Sequence, residues 1–317
     1  MSKRELIASG VTDLEMQESY ERCRKLNSQH GKTYYLATLL LPPGKRPYVH
    51  ALYGFARYAD EIVDDLSSTL TNQEKSDWLG NWGNEFLRDL KRGKSDDLIC
   101  KAVVDTVNRW EIPTELFEAF LHSMRMDLTV RQYQTFKDLY EYVYGSAAVI
   151  GLQMVPILEP TSQIAYERAQ DLGIAFQLAN FVRDVSEDLN RGRIYLPMDE
   201  LAQFGVDRTY LEKRIADKNV KDALKFQIKR VKELEEKSRS GIDFLHPSSR
   251  PCIEAARILY CGIVDAVEAI DYEVFQKRAK VSIAKRLKVA LPAWVQGVSA
   301  RKKFGQGHVH GIATKFN

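Results

Sequence analysis

The 317-residue sequence contains only four cysteines, and their spacing excludes several kinds of site. They are Cys23, Cys100, Cys252 and Cys261, so no two form the C-x-x-C pair of a zinc or redox motif. The opening residues MSKRELIASG are charged and have no apolar segment, so we expect no secretion signal. Together these observations predict reduced thiols and a cytoplasmic location.

Several other motifs are missing as well. The sequence contains no H-E-x-x-H motif, which would indicate a zinc hydrolase. It also contains no G-x-G-x-x-G after a strand-like segment, which would indicate a dinucleotide-binding protein. No apolar run approaches the roughly 20 residues that a membrane span needs. The longest, Ala147–Leu158, contains Gln153 and Pro156. We therefore expect no membrane-spanning helix, and we expect no nucleic-acid partner.

Strand signals are nearly absent, whereas helical periodicity runs through almost the whole chain. Breaks in that periodicity fall at prolines and glycines, and no linker or internal repeat divides the chain. The pattern predicts an all-α protein with a single domain over residues 1–298, followed by a basic, flexible tail over 299–317. The predicted helices cover residues 13–29, 46–66, 72–92, 96–110, 113–127, 135–155, 161–190, 219–245, 249–271 and 274–290.

Two predicted helices carry acidic residues inside apolar sequence. In the first, HALYGFARYADEIVDD, Asp60 and Asp64 lie one turn apart on one helix face, and Arg57 and Tyr53 extend that face backwards. A D-x-x-x-D pair alone is usually a solvated helix face, so this motif needs a second observation before it indicates a metal site.

The second helix, DLGIAFQLANFVRDVSEDLN, supplies that observation. Gln177, Asn180, Asp184 and Asp188 follow at spacings of three, four and four, and form one polar stripe. Carboxylates are rarely buried unless they are paired or bind a metal. Two facing stripes would give the oxygen ligands that Mg²⁺ prefers, with substrate phosphate completing the coordination.

A short basic loop, RGRIYLP at Arg191–Pro197, follows the second stripe. Two guanidinium groups on such a loop can hold phosphate oxygens through forked hydrogen bonds. The same residues also suit the C-terminal stop of a helix, and both interpretations can hold together.

Three segments together resemble the squalene/phytoene synthase family, in particular its phytoene-forming bacterial members. They are YADEIVDD, YVYGSAAVIG at Tyr142–Gly151, and QLANFVRDVSEDLNRGRIYLP at Gln177–Pro197. The resemblance extends over residues 20–290. It implies a single-domain helical bundle of the isoprenoid synthase type, in which Mg²⁺, or Mn²⁺ in its place, joins two Asp-rich helices to prenyl diphosphates in a central cavity.

The resemblance also implies roles for individual residues. The metal ligands would be Asp60, Asp64, Asn180, Asp184 and Asp188. Contacts to substrate diphosphate would come from His30, Lys32, Arg57, Gln177, Arg183, Arg193 and Tyr195. The catalytic residues at the reaction centre would be Tyr142, Tyr53, Tyr260 and Arg57.

The reaction that the resemblance implies is a prenyl transfer in carotenoid biosynthesis. Two geranylgeranyl diphosphates would condense head to head, through prephytoene diphosphate, to phytoene, and no NADPH would be needed. The alternative is squalene or dehydrosqualene synthesis from two farnesyl diphosphates. Thr38 and His50 fall where relatives that use C15 substrates tend to carry larger aromatics, so we expect a deeper cavity here.

Two further classes fit the sequence less well. A head-to-tail chain-elongating synthase typically shows D-D-x-x-D, whereas here Asp64 and Asp65 are followed by Leu66, Ser67 and Ser68. A non-catalytic helical scaffold would not carry polar stripes inside apolar helices.

The C-terminal segment lacks acidic residues. From Val274 to Asn317 there is no Asp or Glu but ten Lys or Arg, so the rest of the chain has 36 basic and 43 acidic residues. A basic C-terminal segment can bind phosphate groups or an anionic membrane surface. Alternatively, it can be a solvated tail without a binding role. Because the product would be an apolar hydrocarbon, we expect peripheral contact with the inner membrane face, aided by Leu291, Trp294 and Val295 and weakened by deleting residues 299–317.

Overall fold

The computed structural model describes residues 3–64 and 69–307. Within these ranges the chain forms helices and no strand, and two isolated β-bridges join Gln132 to Ile194 and Pro160 to Leu245. The helices are α1 Lys3–Ala8, α2 Leu14–His30, α3 Lys32–Thr38, α4 Arg46–Asp64, α5 Asn72–Arg92, α6 Cys100–Trp110, α7 Glu115–Thr129, α8 Phe136–Val143, α9 Val149–Leu158, α10 Ile164–Asn190, α11 Met198–Ala202, α12 Arg208–Glu212, α13 Lys218–Arg239, α14 Arg250–Ala269 and α15 Ile283–Phe304. A π-helical segment, Tyr144–Ala148, joins α8 to α9, and a 3₁₀ turn, Ser240–Phe244, follows α13.

Local side chains explain several of the helix ends. Thr71 and Glu74 form a reciprocal capping box at the start of α5, which satisfies two backbone donors that have no partner within the helix. Gly93 ends the same helix with φ of 72°, a conformation that glycine adopts without steric cost. The Ser282 side chain accepts a hydrogen bond from the backbone of Lys285 and begins α15.

The structure corrects the predicted helices mainly near the C-terminus. The predicted helix over 274–290 is wrong: after α14 the backbone takes positive φ at Asp271 and Tyr272, and the next helix starts only at Ile283. The expectation that prolines break the helical periodicity is wrong at Pro292 as well. Pro292 is exposed, so water can satisfy the backbone carbonyl that its missing N–H leaves unbonded, and α15 continues to Phe304. Helix α15 thus continues past residue 298, where the sequence predicted the boundary between the helical domain and the basic tail.

Helix α10 lies at the centre of the bundle. It packs against α9, the π-helical segment, α13 and α14. One cluster of buried apolar side chains gathers α2, α4, α6 and α7, and a second gathers α8, α10, α13 and α14. Burial of these two clusters is the main stabilising contribution to the fold.

Two glycines let helices approach closely beside the centre. A Cβ on Gly145 would lie 2.2 Å from the carbonyl oxygen of Ala119 on α7. A Cβ on Gly173 of α10 would lie 2.6 Å from the carbonyl oxygen of Ala147. The small residues of YVYGSAAVIG therefore allow the π-helical segment to sit between α7 and α10, next to Tyr142.

One continuous helical stretch, Phe136–Leu158, is by length and composition apolar enough to cross a membrane. From the shorter run Ala147–Leu158 alone, the sequence predicted no helix of this kind. Phe136–Leu158 is the single stretch of this kind in the part of the chain that the structure describes. More than half of its most apolar window is buried inside the bundle, and it packs against α7 and α10. The position of this stretch in the core of the bundle accounts for its apolar composition.

Candidate active site

A polar chamber of about 630 Å³ lies between the C-terminal halves of α4 and α10. The junction of α2 and α3, the loop after α10 and the segment 278–281 complete its walls. The chamber brings together the predicted site residues whose side chains the structure describes, namely His30, Lys32, Tyr53, Arg57, Asp60, Tyr142, Gln177, Asn180, Arg183, Asp184, Asp188, Arg193, Tyr195 and Tyr260.

The α4 wall carries a chain of ion pairs. Arg57 Nη1 lies 2.5 Å from Asp60 Oδ2, and Arg57 Nε lies 3.2 Å from Glu61 Oε1. His30 Nε2 approaches the same Glu61 oxygen at 3.1 Å, so α2 and α4 are linked at the rim of the chamber. The predicted ligand Asp64 is the last residue of α4, and its side chain lies outside the described residues.

The α10 wall carries two carboxylates in different electrostatic states. Arg183 and Arg278 both donate to Asp184, with Arg278 Nε 3.0 Å from Asp184 Oδ1. Burial by itself raises the pKa of Asp184, but the hydrogen bonds from Arg183 and Arg278 outweigh burial and lower it. One turn further on, burial and then the charge of Asp184 raise the pKa of Asp188 to about 8.

These residues fit a divalent cation that is shared with a bound anion. Among residues 3–64 and 69–307, no three His, Cys, Asp or Glu side chains come close enough together to hold a metal by themselves. Asp60 on one wall and Asp184 and Asp188 on the other face the same chamber. A nearby cation would offset burial and the charge of Asp184, which together raise the pKa of Asp188. Mg²⁺, which takes few carboxylates and completes its shell with phosphate and water, suits such a set of ligands.

A buried carboxylate, Asp127 of α7, also lines the chamber and is 5% exposed. Its two oxygens accept hydrogen bonds from the Tyr142 and Tyr195 hydroxyls, each at 2.7 Å. Arg193 donates to the Asp127 backbone carbonyl at 3.0 Å. Burial, followed by the charge of Asp127, raises the pKa of both tyrosines above its ordinary value, so each hydroxyl keeps its proton at neutral pH.

An aromatic cluster forms the inner end of the chamber. The Tyr260 ring lies 4.4 Å from the Tyr34 ring and 4.8 Å from the Phe176 ring, measured between centroids. Tyr53 packs beneath Gly31, where a Cβ would meet the Tyr53 ring at 2.4 Å, so only glycine fits there. We call Tyr34, Tyr53, Phe176 and Tyr260 the aromatic junction.

An apolar cavity of about 230 Å³ begins beyond the aromatic junction. Tyr34, Tyr53 and Gln177 line both the cavity and the polar chamber, so the two spaces adjoin. Thr38 lies in the cavity wall, as expected. His50 does not line it, which corrects its expected position. It is buried instead against Asn27, at 3.0 Å, and the Tyr35 ring.

Several chamber residues were not predicted from the sequence, and three of them, Asp127, Arg278 and Tyr34, shape its geometry. Asp127 gave a signal, because it follows Phe120 and Met124 at helical spacing on the buried face of α7, where an unpaired carboxylate is costly. Arg278 appeared only as one charge in a basic segment, and its pairing with Asp184 joins positions far apart in the chain. Tyr34 could not be distinguished from an ordinary core aromatic.

Comparison with known sequences gives matches over most of the chain. A family model described as squalene/phytoene synthase matches residues 27–285. Phytoene synthase 1 of Arabidopsis thaliana is 38% identical over 283 residues, which cover 87% of this chain and 65% of that protein. The 15-cis-phytoene synthase of Synechococcus elongatus is 37% identical over 284 residues, which cover 86% of this chain and 91% of that enzyme. The chain therefore spans slightly less than two thirds of its Arabidopsis relative.

Solved structures show the same helical fold. A dehydrosqualene synthase in complex with a ligand superposes with a TM-score of 0.81 at 27% identity, covering 90% of this chain and 98% of that chain. A squalene synthase from Alicyclobacillus acidocaldarius superposes with a TM-score of 0.76 at 24% identity, covering 84% and 98%.

Proposed function

The chain belongs to the squalene/phytoene synthase family, and we propose that it joins two geranylgeranyl diphosphates head to head to form phytoene in carotenoid synthesis. The observation that carries the proposal is the polar chamber that adjoins an apolar cavity at the aromatic junction. A prenyl diphosphate needs a cationic site for its head and an apolar one for its tail. The identity with phytoene synthases, which exceeds that with the two structural relatives, supports C20 substrates.

The chamber residues hold and orient the diphosphate groups. Lys32, Arg183 and Arg193 place cationic side chains on three sides of the chamber, and guanidinium groups bind phosphate oxygens in pairs. Asp60 and the Asn180, Asp184 and Asp188 stripe would hold Mg²⁺, which withdraws electron density from a diphosphate leaving group when it is bound. Since Arg278 already pairs with Asp184, it moves toward phosphate only if that ion pair opens.

The aromatic junction protects the cation that forms when the first diphosphate leaves. The faces of Tyr53, Phe176 and Tyr260 stabilise an allylic cation through their quadrupoles. The apolar cavity excludes water that would otherwise add to the cation. The double bond of the second chain attacks it and, with loss of a proton, gives a cyclopropyl intermediate that keeps the second diphosphate.

Loss of that second diphosphate then completes the reaction. The resulting cation rearranges, and loss of another proton forms the central double bond, so no reductant is consumed. Asp127 holds the Tyr142 hydroxyl in one orientation at the chamber wall, where it can guide a departing proton or diphosphate.

The decisive experiment is incubation of the purified protein with Mg²⁺ and either the C20 or the C15 diphosphate, with and without NADPH, followed by mass analysis of the product. We expect phytoene from the C20 substrate, formed equally well without NADPH. Much faster reaction of the C15 substrate, or product that requires NADPH, would instead identify a squalene or dehydrosqualene synthase.

A further inference from the structure

A basic pocket lies away from the polar chamber, between α1, the start of α4 and the last turns of α15. It has a volume of about 560 Å³ and shares no lining residue with the chamber or the apolar cavity. Arg46 in its wall and Arg57 in the chamber are eleven residues apart on α4, roughly 16 Å along the helix axis. The residues that line the basic pocket are Arg4, Glu5, Pro43, Arg46, Val298, Arg301, Lys302 and Gln306.

Three consecutive backbone carbonyls hold two guanidinium groups beside the basic pocket. Arg46, at the start of α4, donates from Nη2 to the Leu39 carbonyl at 2.6 Å and from Nε to the Leu41 carbonyl at 3.0 Å. Arg301, near the end of α15, donates from Nη1 to the Leu40 carbonyl at 2.9 Å. The fold therefore brings two positive side chains from distant parts of the chain onto one short segment, where their charges repel each other.

The charges that line the basic pocket do not balance. Glu5 is its one carboxylate and lies 2.8 Å from Arg46, so four cationic side chains and one acidic one leave an excess of three positive charges. Arg4, Arg301 and Lys302 form no salt bridge with any residue that the structure describes. Burial, and then the charge of Arg46, lower the pKa of Arg301, as expected where a positive charge lacks an anion.

Neighbouring carboxylates do not supply the missing negative charge. Glu159, Glu254 and Asp265 lie near α15 or the residues that follow it. Each is paired, at between 2.5 and 3.0 Å, with a basic side chain that does not line the basic pocket. An anion from solution is therefore the remaining source of charge balance.

The two guanidinium groups also keep hydrogen-bond donors for such an anion. A guanidinium group carries five N–H donors. Among the described residues, Arg46 uses three of its donors in the bonds to Glu5 and the two carbonyls, and Arg301 uses one. Guanidinium donors bind phosphate oxygens in pairs, and the ammonium group of Lys302 adds a flexible point charge.

The lining of the basic pocket favours a small phosphate ion. No aromatic ring is among its lining residues, and only Pro43 and Val298 are apolar, so a nucleobase or a prenyl chain would find little to pack against. The cationic groups come from three separate elements, an arrangement that can contact both phosphates of a diphosphate at once.

We propose that the basic pocket binds a soluble inorganic diphosphate ion, at a site separate from the chamber. The site itself follows from the pocket and does not depend on the proposed reaction. The source of the ion rests on that reaction, which releases two inorganic diphosphates for each molecule of product.

Isothermal titration of the full-length protein with inorganic diphosphate tests the site. The titration is run at low salt in chelator, because diphosphate in the chamber should need Mg²⁺ to bind well beside its carboxylates. We expect saturable binding that Arg301→Gln weakens at least tenfold, since the change removes a guanidinium that can hold two oxygens. Arg4→Gln combined with Lys302→Gln, at two exposed positions, should weaken binding roughly fivefold without disturbing any buried bond.

Two controls separate the basic pocket from general charge and from the chamber. Lys229→Gln with Arg239→Gln removes one lysine and one arginine from exposed positions of α13 and should bind diphosphate as the wild type does. Arg183→Gln, in the chamber, should also leave the metal-free binding unchanged. Diphosphate should accordingly raise the Tm of the Arg183 variant and raise that of the Arg301 variant much less.

Three results would overturn the proposal. One is the absence of saturable diphosphate binding by the wild type in chelator at low salt. Another is binding that Arg183→Gln abolishes and Arg301→Gln leaves intact, which would place the ion in the chamber. The third is equal affinity for sulfate or glycerol 3-phosphate, which would show that the pocket attracts any anion and does not recognise a diphosphate.

The proposed reaction is tested separately from this site. Circular dichroism should show that every variant keeps the native helix content. With prenyl diphosphate and Mg²⁺, Arg301→Gln should turn over as the wild type does, because the basic pocket lies outside the chamber. Phytoene formed by a protein without the diphosphate site, or a diphosphate site in a protein that forms no phytoene, would show which of the two ideas has failed.

Discussion

At the scale of the residue, Asp127 links two tyrosines of the chamber that are far apart in sequence. It accepts hydrogen bonds from both Tyr142 and Tyr195, and its burial leaves no solvent to replace them. A tyrosine held in this way has a fixed hydroxyl direction, which matters for a transition state more than for substrate binding.

Loss of the Tyr142 hydroxyl should therefore impair chemistry rather than binding. We expect Tyr142→Phe to lower kcat by roughly 100-fold with KM nearly unchanged. Asp127→Asn should lower kcat in the same way, and the double variant should be little worse than either single one, because both act through one hydroxyl. Steady-state kinetics of the three variants measures this.

The control is Tyr140→Phe, which removes a hydroxyl from the same helix that bonds to Gln170 outside the chamber. Its turnover should equal that of the wild type. An unchanged kcat in Tyr142→Phe would return Tyr142 to the role of a core aromatic.

His50 predicts a pH dependence of stability. Burial, as the first cause, lowers its pKa to about 3, whereas an unfolded histidine titrates near 6.5. Between these values the unfolded chain binds the proton and the folded protein does not, so the free energy of unfolding falls as pH falls below about 6.5. The slope from this group is at most about 1.4 kcal/mol per pH unit, and it vanishes above pH 6.5.

Urea unfolding between about pH 7 and pH 5 checks the effect. His50→Gln should remove part of the slope, while His122→Gln, at an exposed site, should not. An identical slope in the His50 variant and the wild type would show that other groups carry the pH dependence.

At the scale of the element, α4 and α10 form two walls that work only as a pair. Asp60 and Asp184 lie on different helices and line the same chamber, and in the part of the chain that the structure describes no three acidic, His or Cys side chains gather closely enough to hold a metal. A metal bound there would have to be shared between the two helices and a diphosphate, and the packing of α10 against α9 and the π-helical segment helps to set how the two helices face each other.

Removing one carboxylate from either wall should abolish most activity without unfolding the protein. We expect Asp60→Asn and Asp184→Asn each to lower turnover at least ~100-fold, and a chelator to abolish it. Circular dichroism should stay native, because the fold is stabilised mainly by the two buried apolar clusters, to which neither carboxylate belongs. Asp222→Asn on α13, a partly exposed aspartate that is paired with Lys218 and Lys225 outside the chamber, is the control. Full activity in chelator, or normal turnover in both chamber variants, would contradict the metal assignment.

At the scale of the whole molecule, the adjoining spaces decide which substrates fit. The apolar cavity, which we propose receives the prenyl tail, is built from helices distant in sequence, including α3, α4, α9, α10 and α14. Thr38 is 3% exposed and lies in its wall, so a larger side chain there must enter the cavity or displace a neighbour.

Thr38→Phe should therefore shift preference from C20 toward C15 diphosphate. We expect the ratio of kcat/KM values, C20 over C15, to fall at least tenfold, a size set by apolar pocket contacts. Thr38→Val is the matched control: it keeps the volume and loses only the hydrogen bond to the Tyr34 carbonyl. Equal ratios in Thr38→Phe and the wild type would show that the tail binds elsewhere.

The sequence by itself determined the helical class and most of the chamber. Periodicity and capping residues are local properties, so α2, α4, α5, α10 and α13 could be predicted closely. Acidic residues inside apolar helices are costly to bury without a partner, so the sequence predicted that Asp60, Asp184 and Asp188 lie together, and they do line one chamber.

The tertiary structure alone decided which distant side chains meet. Arg278 pairs with Asp184, and Asp127 holds Tyr142 and Tyr195, through contacts that join separate helices and leave no periodic trace in the sequence. The course of α15 through Pro292 also depended on its surroundings, because an exposed proline costs a helix less where water can bond the free carbonyl. Local sequence specifies helices, whereas packing specifies the partners of their polar groups.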